Sequence, residues 1–307
     1  MIALVLVHVR QPVTGVVKRM LAVHADPARL RSHVETLAHM APRSAARREN
    51  LVRASDYIRD QLVAAGAEVS FQAVEDDGST FRNVIARLGP ESKELIVVGA
   101  HYDAAEAAVG ADDNASGVAG LLELARLAQA EPLPMRLELV AYCSEEPPSF
   151  RTQAMGSFVH ADGLRREGAI VRAMICLEMI GYFSDAPGSQ HFPFPGMQLL
   201  YPSSANFIAV VGCLGQESLV REVKRGMAEV SELPVDSMNA PRFVAGIDFS
   251  DHLNYWDAGF PAVMVTDTAF YRNPNYHEAS DTPQTLDFSR MRDAVDGVFG
   301  ALQRLSR

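Results

Sequence analysis

The chain has 307 residues, 48% of them hydrophobic, and a formal net charge of −10 at neutral pH, which is enough apolar material for one large core. With no long basic run and no aromatic-basic alternation, that charge excludes a phosphate backbone as a natural partner. No run approaches the roughly 20 apolar residues that span a bilayer, and the opening MIALVLVHVR lacks the basic start and small-residue cleavage site of a signal peptide, so a cytoplasmic protein without a membrane partner is expected unless the true start lies elsewhere.

Residues 1–26 read as an N-terminal extension of unassigned structure, and 27–307 as a single domain. Two helical patterns come first, over 27–41 and 49–66. In the second, Leu51, Ile58, Leu62 and Val63 fall near one face and the pattern ends at Gly66. Apolar β-rich runs then alternate with helical segments: VSFQAV, RNVIARL, ELIVVGA, the helix GVAGLLELARLAQ, RLELVAYC, VRAMICLEMI, FIAVVG, a helix near 217–230, and PAVMVTDT. Runs as continuously apolar as LIVVGA and LELVAYC suit strands buried on both faces, which predicts an α/β fold with a mostly parallel central sheet sandwiched between helices. The segment PGSQHFPFPGMQ is the longest irregular insertion. Cys143, Cys176 and Cys213 are isolated in apolar runs and read as buried reduced thiols.

Four of the predicted strands run into residues of metal-ligand type. ELIVVGA leads to His101-Tyr102-Asp103, RLELVAYC to Glu145-Glu146, VRAMICL to Glu178, and PAVMVTDT, across a short loop, to Tyr276-His277. In a parallel sheet these ends share one edge, where ligands bind. A fifth element, GADDNASG, sets Asp112 and Asp113 just before a helix that begins near Ser116. Each residue alone has a structural explanation, since Asp113 can cap a helix and Glu145-Glu146 can be a solvated pair. Five such places brought together by topology are another matter. Histidines mixed with carboxylates suit zinc, whereas calcium and magnesium favour oxygen alone. A pair of metal ions needs a bridging ligand, which a two-oxygen carboxylate can be. Adjacent glutamates allow one to bind metal while the other acts as base.

In order, H-Y-D, G-A-D-D-N-A-S-G, E-E, M-G-S, L-E-M-I-G, S-D-H and Y-H followed by S-D-T resemble the co-catalytic zinc exopeptidase family, which includes bacterial leucine-type aminopeptidases, glutamate carboxypeptidase and glutaminyl cyclase. The resemblance extends from about residue 27 to the C-terminus. It implies two zinc ions bridged by Asp113, with His101 and Glu178 completing one set and Glu146 and His277 the other. It also implies that Glu145 is the general base, that Asp103 hydrogen-bonds His101, and that Tyr276 donates to the developing oxyanion. A cis peptide is implied at Asp113-Asn114. Two departures stand out. Many members carry aspartate where this chain has Glu178, and Pro147-Pro148-Ser149-Phe150-Arg151 replaces the usual Gly-Leu form, which should stiffen the cleft wall.

Ser250-Asp251-His252 is too contiguous for a serine hydrolase triad, which is built by spatial convergence. An N-cap by Ser250 or Asp251 explains it. The expected activity is therefore zinc-dependent exopeptidase action on a peptide substrate, read as an aminopeptidase. Carboxypeptidase and glutaminyl-cyclase-like acyltransferase are the alternatives. Acids at Glu106, Asp112 and Asp267 are available for a substrate ammonium, and Phe150, Phe270 and Tyr271 for an apolar first side chain. Arg151 and Arg272 are the residues that a carboxypeptidase would use.

Overall fold

The computed structural model describes residues 9–307. One eight-stranded sheet runs through it in the order β1-β2-β4-β3-β5-β8-β6-β7, with β1 Glu68–Asp76, β2 Ser79–Leu88, β3 Glu94–His101, β4 Arg136–Tyr142, β5 Ile170–Glu178, β6 Ile208–Cys213, β7 Val235–Ala240 and β8 Ala262–Thr266. The four strands that carry candidate ligands are contiguous and parallel, with β4 beside β3, β3 beside β5, and β5 beside β8. Antiparallel strands flank them, β2 on β4 and β6 on β8. The predicted parallel centre is present, within a mixed sheet.

Side-chain alternation along the strands divides the core in two. Ile96, Val98 and Ala100 of β3, Ile175 and Leu177 of β5, and Val263 and Val265 of β8 face one side. That side is covered by α1 (Pro27–Ala38), α2 (Arg48–Ala64), α3 (Gly117–Ala130), α5 (Glu217–Val230) and α7 (Phe288–Leu305). Leu95, Val97, Met174, Cys176 and Met264 face the other. There, among the described residues, only α4 (Gly156–Glu167) and α6 (His252–Asp257) supply helices, and irregular chain around 182–207 and 241–250 covers the rest. The long insertion expected from PGSQHFPFPGMQ is part of that cover. α1 stops at Ala38 rather than residue 41, ahead of Pro42. Three elements, α4, β7 and α7, were not in the pattern reading. α7 has a clear apolar face, whereas β7 (VDSMNA) is a polar edge strand.

Residues 13–26 carry no helix or strand, yet they dock closely. Leu21 and Ala25 enter the first core, Arg19 bonds Glu229 main chain to main chain, and Ala25 N–H reaches Asp296. All three cysteines are buried and free. No helix among the described residues is long and apolar enough to cross a membrane.

α5 and α7 meet at two glycines. A Cβ on Gly226 would lie 2.5 Å from Ala301 Cα, and one on Gly300 would lie 2.6 Å from Gly226 O. Backbone against backbone leaves nothing soft to give way. Gly226→Ala is therefore expected to lower stability by about 1–3 kcal/mol through overpacking, read as a shift of the urea midpoint with unchanged slope.

Candidate metal centre

The sequence-predicted ligands converge at the carboxyl ends of the parallel strands. Asp113 lies between two histidines. Its Oδ1 is 3.3 Å from His101 Nε2, and its Oδ2 is 3.1 Å from His277 Nε2. Glu178 Oε2 comes within 3.3 Å of the same His101 nitrogen, and Glu146 Oε2 within 3.4 Å of the same His277 nitrogen. Ligand atoms thus form two abutting sets, His101-Asp113-Glu178 and Asp113-Glu146-His277, and a further close group joins His101 and Glu146 to Glu145. The two sets share Asp113. His277 is partly exposed, and the other four are buried.

The donor set fits zinc. A direct charged hydrogen bond would draw nitrogen and oxygen to about 2.7–2.9 Å, whereas ligand atoms about 2.05 Å from a tetrahedral zinc stand about 3.3 Å apart. The observed 3.1–3.4 Å separations match the second spacing. Glu146 Oε1 is buried without a hydrogen-bond partner, and an uncompensated carboxylate oxygen is costly. Charge crowding points the same way. Burial pushes Glu146 up to about 8, with Asp113 adding to the shift. Burial also raises Glu145 well above the usual range, and Glu146 and Glu178 reinforce it. Cations placed among these acids would relieve the repulsion.

Left-handed backbone aims three of the ligand loops. Ser144, just before the glutamate pair, has φ 60°; Met179, just after Glu178, has φ 49°; and His277 itself has φ 60°. For non-glycine residues such values are uncommon and concentrate at functional sites. The Asp113-Asn114 peptide is cis.

Around the ligands, further buried groups hold the loops. Asp103 accepts the main-chain N–H groups of Glu145 and Glu146 at 3.2 and 3.0 Å. Its carboxylate stands 3.5 Å from His101 Nδ1, while its main-chain carbonyl lies closer, at 3.2 Å. Asp281, of the S-D-T segment, accepts the N–H groups of Asp112 and Asp113. Asn114 ties its turn to the end of β5 through Leu177 O and Met179 N. Arg43, fully buried, donates to the carbonyls of Leu37, Tyr102, Val109 and Gly110. Tyr276 stacks on His277 with ring centroids 3.9 Å apart, and burial with Asp113 and Glu178 nearby raises its hydroxyl pKa. It therefore stays a donor.

Several expectations are corrected. Asp112 and Asp267 cannot meet a substrate ammonium, because both are fully buried and accept backbone N–H groups, from Gly181 and from Tyr182 and Ala269 respectively. Phe150 packs edge-on against Phe249 instead of lining the cavity beside the site, which Phe270 and Tyr271 do line. The N-cap expected from Ser250 or Asp251 falls on Asp251. Asp251 caps α6 through its main-chain carbonyl, which accepts from Asn254 N–H, while its side chain makes no capping bond, and Ser250 Oγ donates to Glu178 Oε2 at 2.6 Å. His252 turns away, toward Ile247 O at 2.8 Å, so the contiguous residues form no triad. Arg151 pairs with Asp248 at 2.6 Å. Arg272 is buried against Gln190, Thr268 and Phe207 O.

Two histidine-carboxylate sets sharing one aspartate, above the strand ends of an α/β sheet, could hold a pair of metal ions. The chain belongs to peptidase family M28, whose model matches residues 83–301, a family of zinc-dependent exopeptidases. Escherichia coli YfbL is 49% identical over 288 residues, covering 91% of this chain and 88% of that protein. A probable leucine aminopeptidase of Trichophyton verrucosum is 28% identical over 260 residues, covering 80% of this chain and 62% of its own length. The chain thus spans less than two thirds of that relative. Among solved structures, a Bacteroides thetaiotaomicron glutaminyl cyclase bound to N-acetylhistamine superimposes with a TM-score of 0.70 at 20% identity, covering 92% of this chain and 98% of the other. At that identity the likeness is one of fold.

The arrangement predicts that Ser250→Ala, by freeing the Glu178 carboxylate, weakens zinc binding by about 10–100-fold and leaves the unfolding temperature nearly unchanged. Competition against a chromogenic chelator measures the effect. Unaltered affinity would remove Ser250 from the site.

Proposed function

We propose that this protein is an aminopeptidase that holds two zinc ions, on His101, Asp113 and Glu178 and on Asp113, Glu146 and His277. When bound, the metal pair supplies Lewis acidity, polarising the scissile carbonyl and making water acidic enough to attack it near neutral pH. Glu145, held by its main chain to Asp103 and bearing no share in the two ligand sets, takes the proton from that water and delivers it to the leaving amine. Tyr276, kept protonated beside His277, donates a hydrogen bond to the carbonyl oxygen as charge develops there. Asp103 fixes the glutamate pair and orients His101.

The observation that carries the reading of the N-terminal end is the cavity that opens at Glu178 and Tyr276. It is lined by Phe249, Phe270, Tyr271 and other apolar groups, and it sits where the side chain of a first residue would go if its ammonium faced Glu178. Neither Arg151, paired with Asp248, nor Arg272, buried behind Gln190 and Thr268, is free to receive a C-terminal carboxylate. A glutaminyl-cyclase-like chemistry needs less than the two complete ligand sets found here.

Two measurements test this. Glu145→Gln is expected to keep both zinc ions by elemental analysis and to lose about 10²–10⁴ in kcat, whereas Glu146→Gln loses metal as well. Near-normal kcat in Glu145→Gln, or loss of zinc there but not in Glu146→Gln, would overturn the assignment. With matched leucyl peptides, acetylating the N-terminus should abolish hydrolysis and amidating the C-terminus should not. The opposite pattern would make the protein a carboxypeptidase.

A further inference from the structure

A cavity partly open to solvent lies beside the metal centre. Its floor is a single cross-strand row. Glu178 pairs with Thr266, Thr266 with Ala209, and Ala209 with Asp236, and all four residues line the cavity. Three interstrand steps make the row about 14 Å long between its end Cα atoms. Small side chains occupy its middle and a carboxylate stands at each end. One is Glu178, of the proposed metal set. The other, Asp236, closes a cavity that is otherwise mainly apolar.

An acid at the end of an apolar pocket is the arrangement that selects a cationic side chain. Here the chain supplies the cation itself. Arg10, from the segment that precedes every described strand, donates to Asp236 Oδ1 and to Leu200 O. Its guanidinium lies 4.7 Å from the centroid of Tyr201, another lining residue. The Arg10 carbonyl in turn accepts from Ser237 Oγ at 2.5 Å and from Lys224 Nζ at 3.0 Å. Lys224 Nζ is 3.9 Å from Asp236, well beyond hydrogen-bond distance. Arg10 therefore makes the closest charged contact with this carboxylate, and it arrives from outside the cavity.

We propose that Arg10 is a specificity-determining residue: it closes the far end of the substrate cavity and masks Asp236, so that the cavity takes a first residue with a long uncharged side chain, of the leucine, methionine or phenylalanine type, and rejects lysine and arginine. The proposal rests on the aminopeptidase reading for its substrate but not for its geometry. Among the described residues, deleting the guanidinium leaves Asp236 the more distant Lys224 as its cation, and a substrate cation takes the vacated place.

The test uses the full-length zinc-loaded protein. In Arg10→Met, which keeps an apolar stem over Tyr201, the ratio of kcat/KM for leucyl over arginyl 4-methylcoumarinamide should fall at least tenfold, chiefly through KM for the arginyl substrate. Arg10→Lys should restore the wild-type ratio, and adding Asp236→Asn to Arg10→Met should cancel the gain. Arg10→Ala serves if the methionine variant does not give a cooperative thermal transition. A second arm needs no turnover: calorimetry with hexylguanidinium, with hexan-1-ol as the neutral control. The Arg10 variant should bind hexylguanidinium at least tenfold more tightly than wild type, while hexanol binding changes little. An unchanged substrate ratio together with unchanged hexylguanidinium affinity would overturn the proposal. Should wild type hydrolyse no free-amino substrate, the aminopeptidase reading fails, and the calorimetric arm still decides the role of Arg10.

Discussion

Asp113 offers one carboxylate oxygen to His101 and the other to His277, at 3.3 and 3.1 Å. Both histidine-carboxylate sets therefore take their registration from a single side chain, and a small displacement of its backbone detunes both together. That backbone is correspondingly over-determined. Asp281 grips the N–H of Asp113 and of its predecessor, and Asn114 bonds the end of β5. The chain reaches Asp113 through Gly110, where a Cβ would lie 2.5 Å from Asp113 O. Gly110 also has φ 69°, so the turn admits no side chain there.

The same device recurs around the centre. Asp103 holds the amides of the glutamate pair, Asp112 that of Gly181, and Asp267 those of Tyr182 and Ala269. Buried carboxylates act here as staples for loops that have no secondary structure of their own. Arg43 does the complementary work on carbonyls, and its planar fork of five donors has no equivalent in lysine. Satisfying backbone groups in this way lets irregular chain sit at depth without orphaned amides.

What the sequence made legible follows from this division. The convergence of the histidines and carboxylates could be read because parallel strands deliver their ends to one edge, so that His101, Glu146 and Glu178 are marked by position as well as by chemistry. The stapling residues carry the same letters without that mark. Asp112 and Asp113 are neighbours of identical type that periodicity does not separate; the family resemblance points to Asp113, and the contacts show that it faces the histidines while Asp112 holds Gly181 and accepts from Asn273. Ser250 was legible as a polar residue before a short helix, but its hydrogen bond to Glu178 spans 72 positions. The contact of Arg10 with Asp236 spans 226. Periodicity reports a residue's local face and is silent about such long-range pairs. Elements went unread for another reason: β7 is an edge strand whose polar residues mask its alternation.

The sheet reverses direction between β8 and β6, and this reversal divides the labour of the molecule. All five residues of the two histidine-carboxylate sets lie on the β3-β4-β5-β8 side or on the loops that follow those strands, whereas β6 and β7 supply cavity wall on one face and, from β6, core on the other. Substitutions at Ala209, Val211 or Met238 would therefore reshape the cavity without touching the histidine-carboxylate sets. A scaffold partitioned in this way separates two kinds of change: the cavity wall on β6 and β7 can be recast side chain by side chain while the backbone that aims the histidines and carboxylates keeps its register.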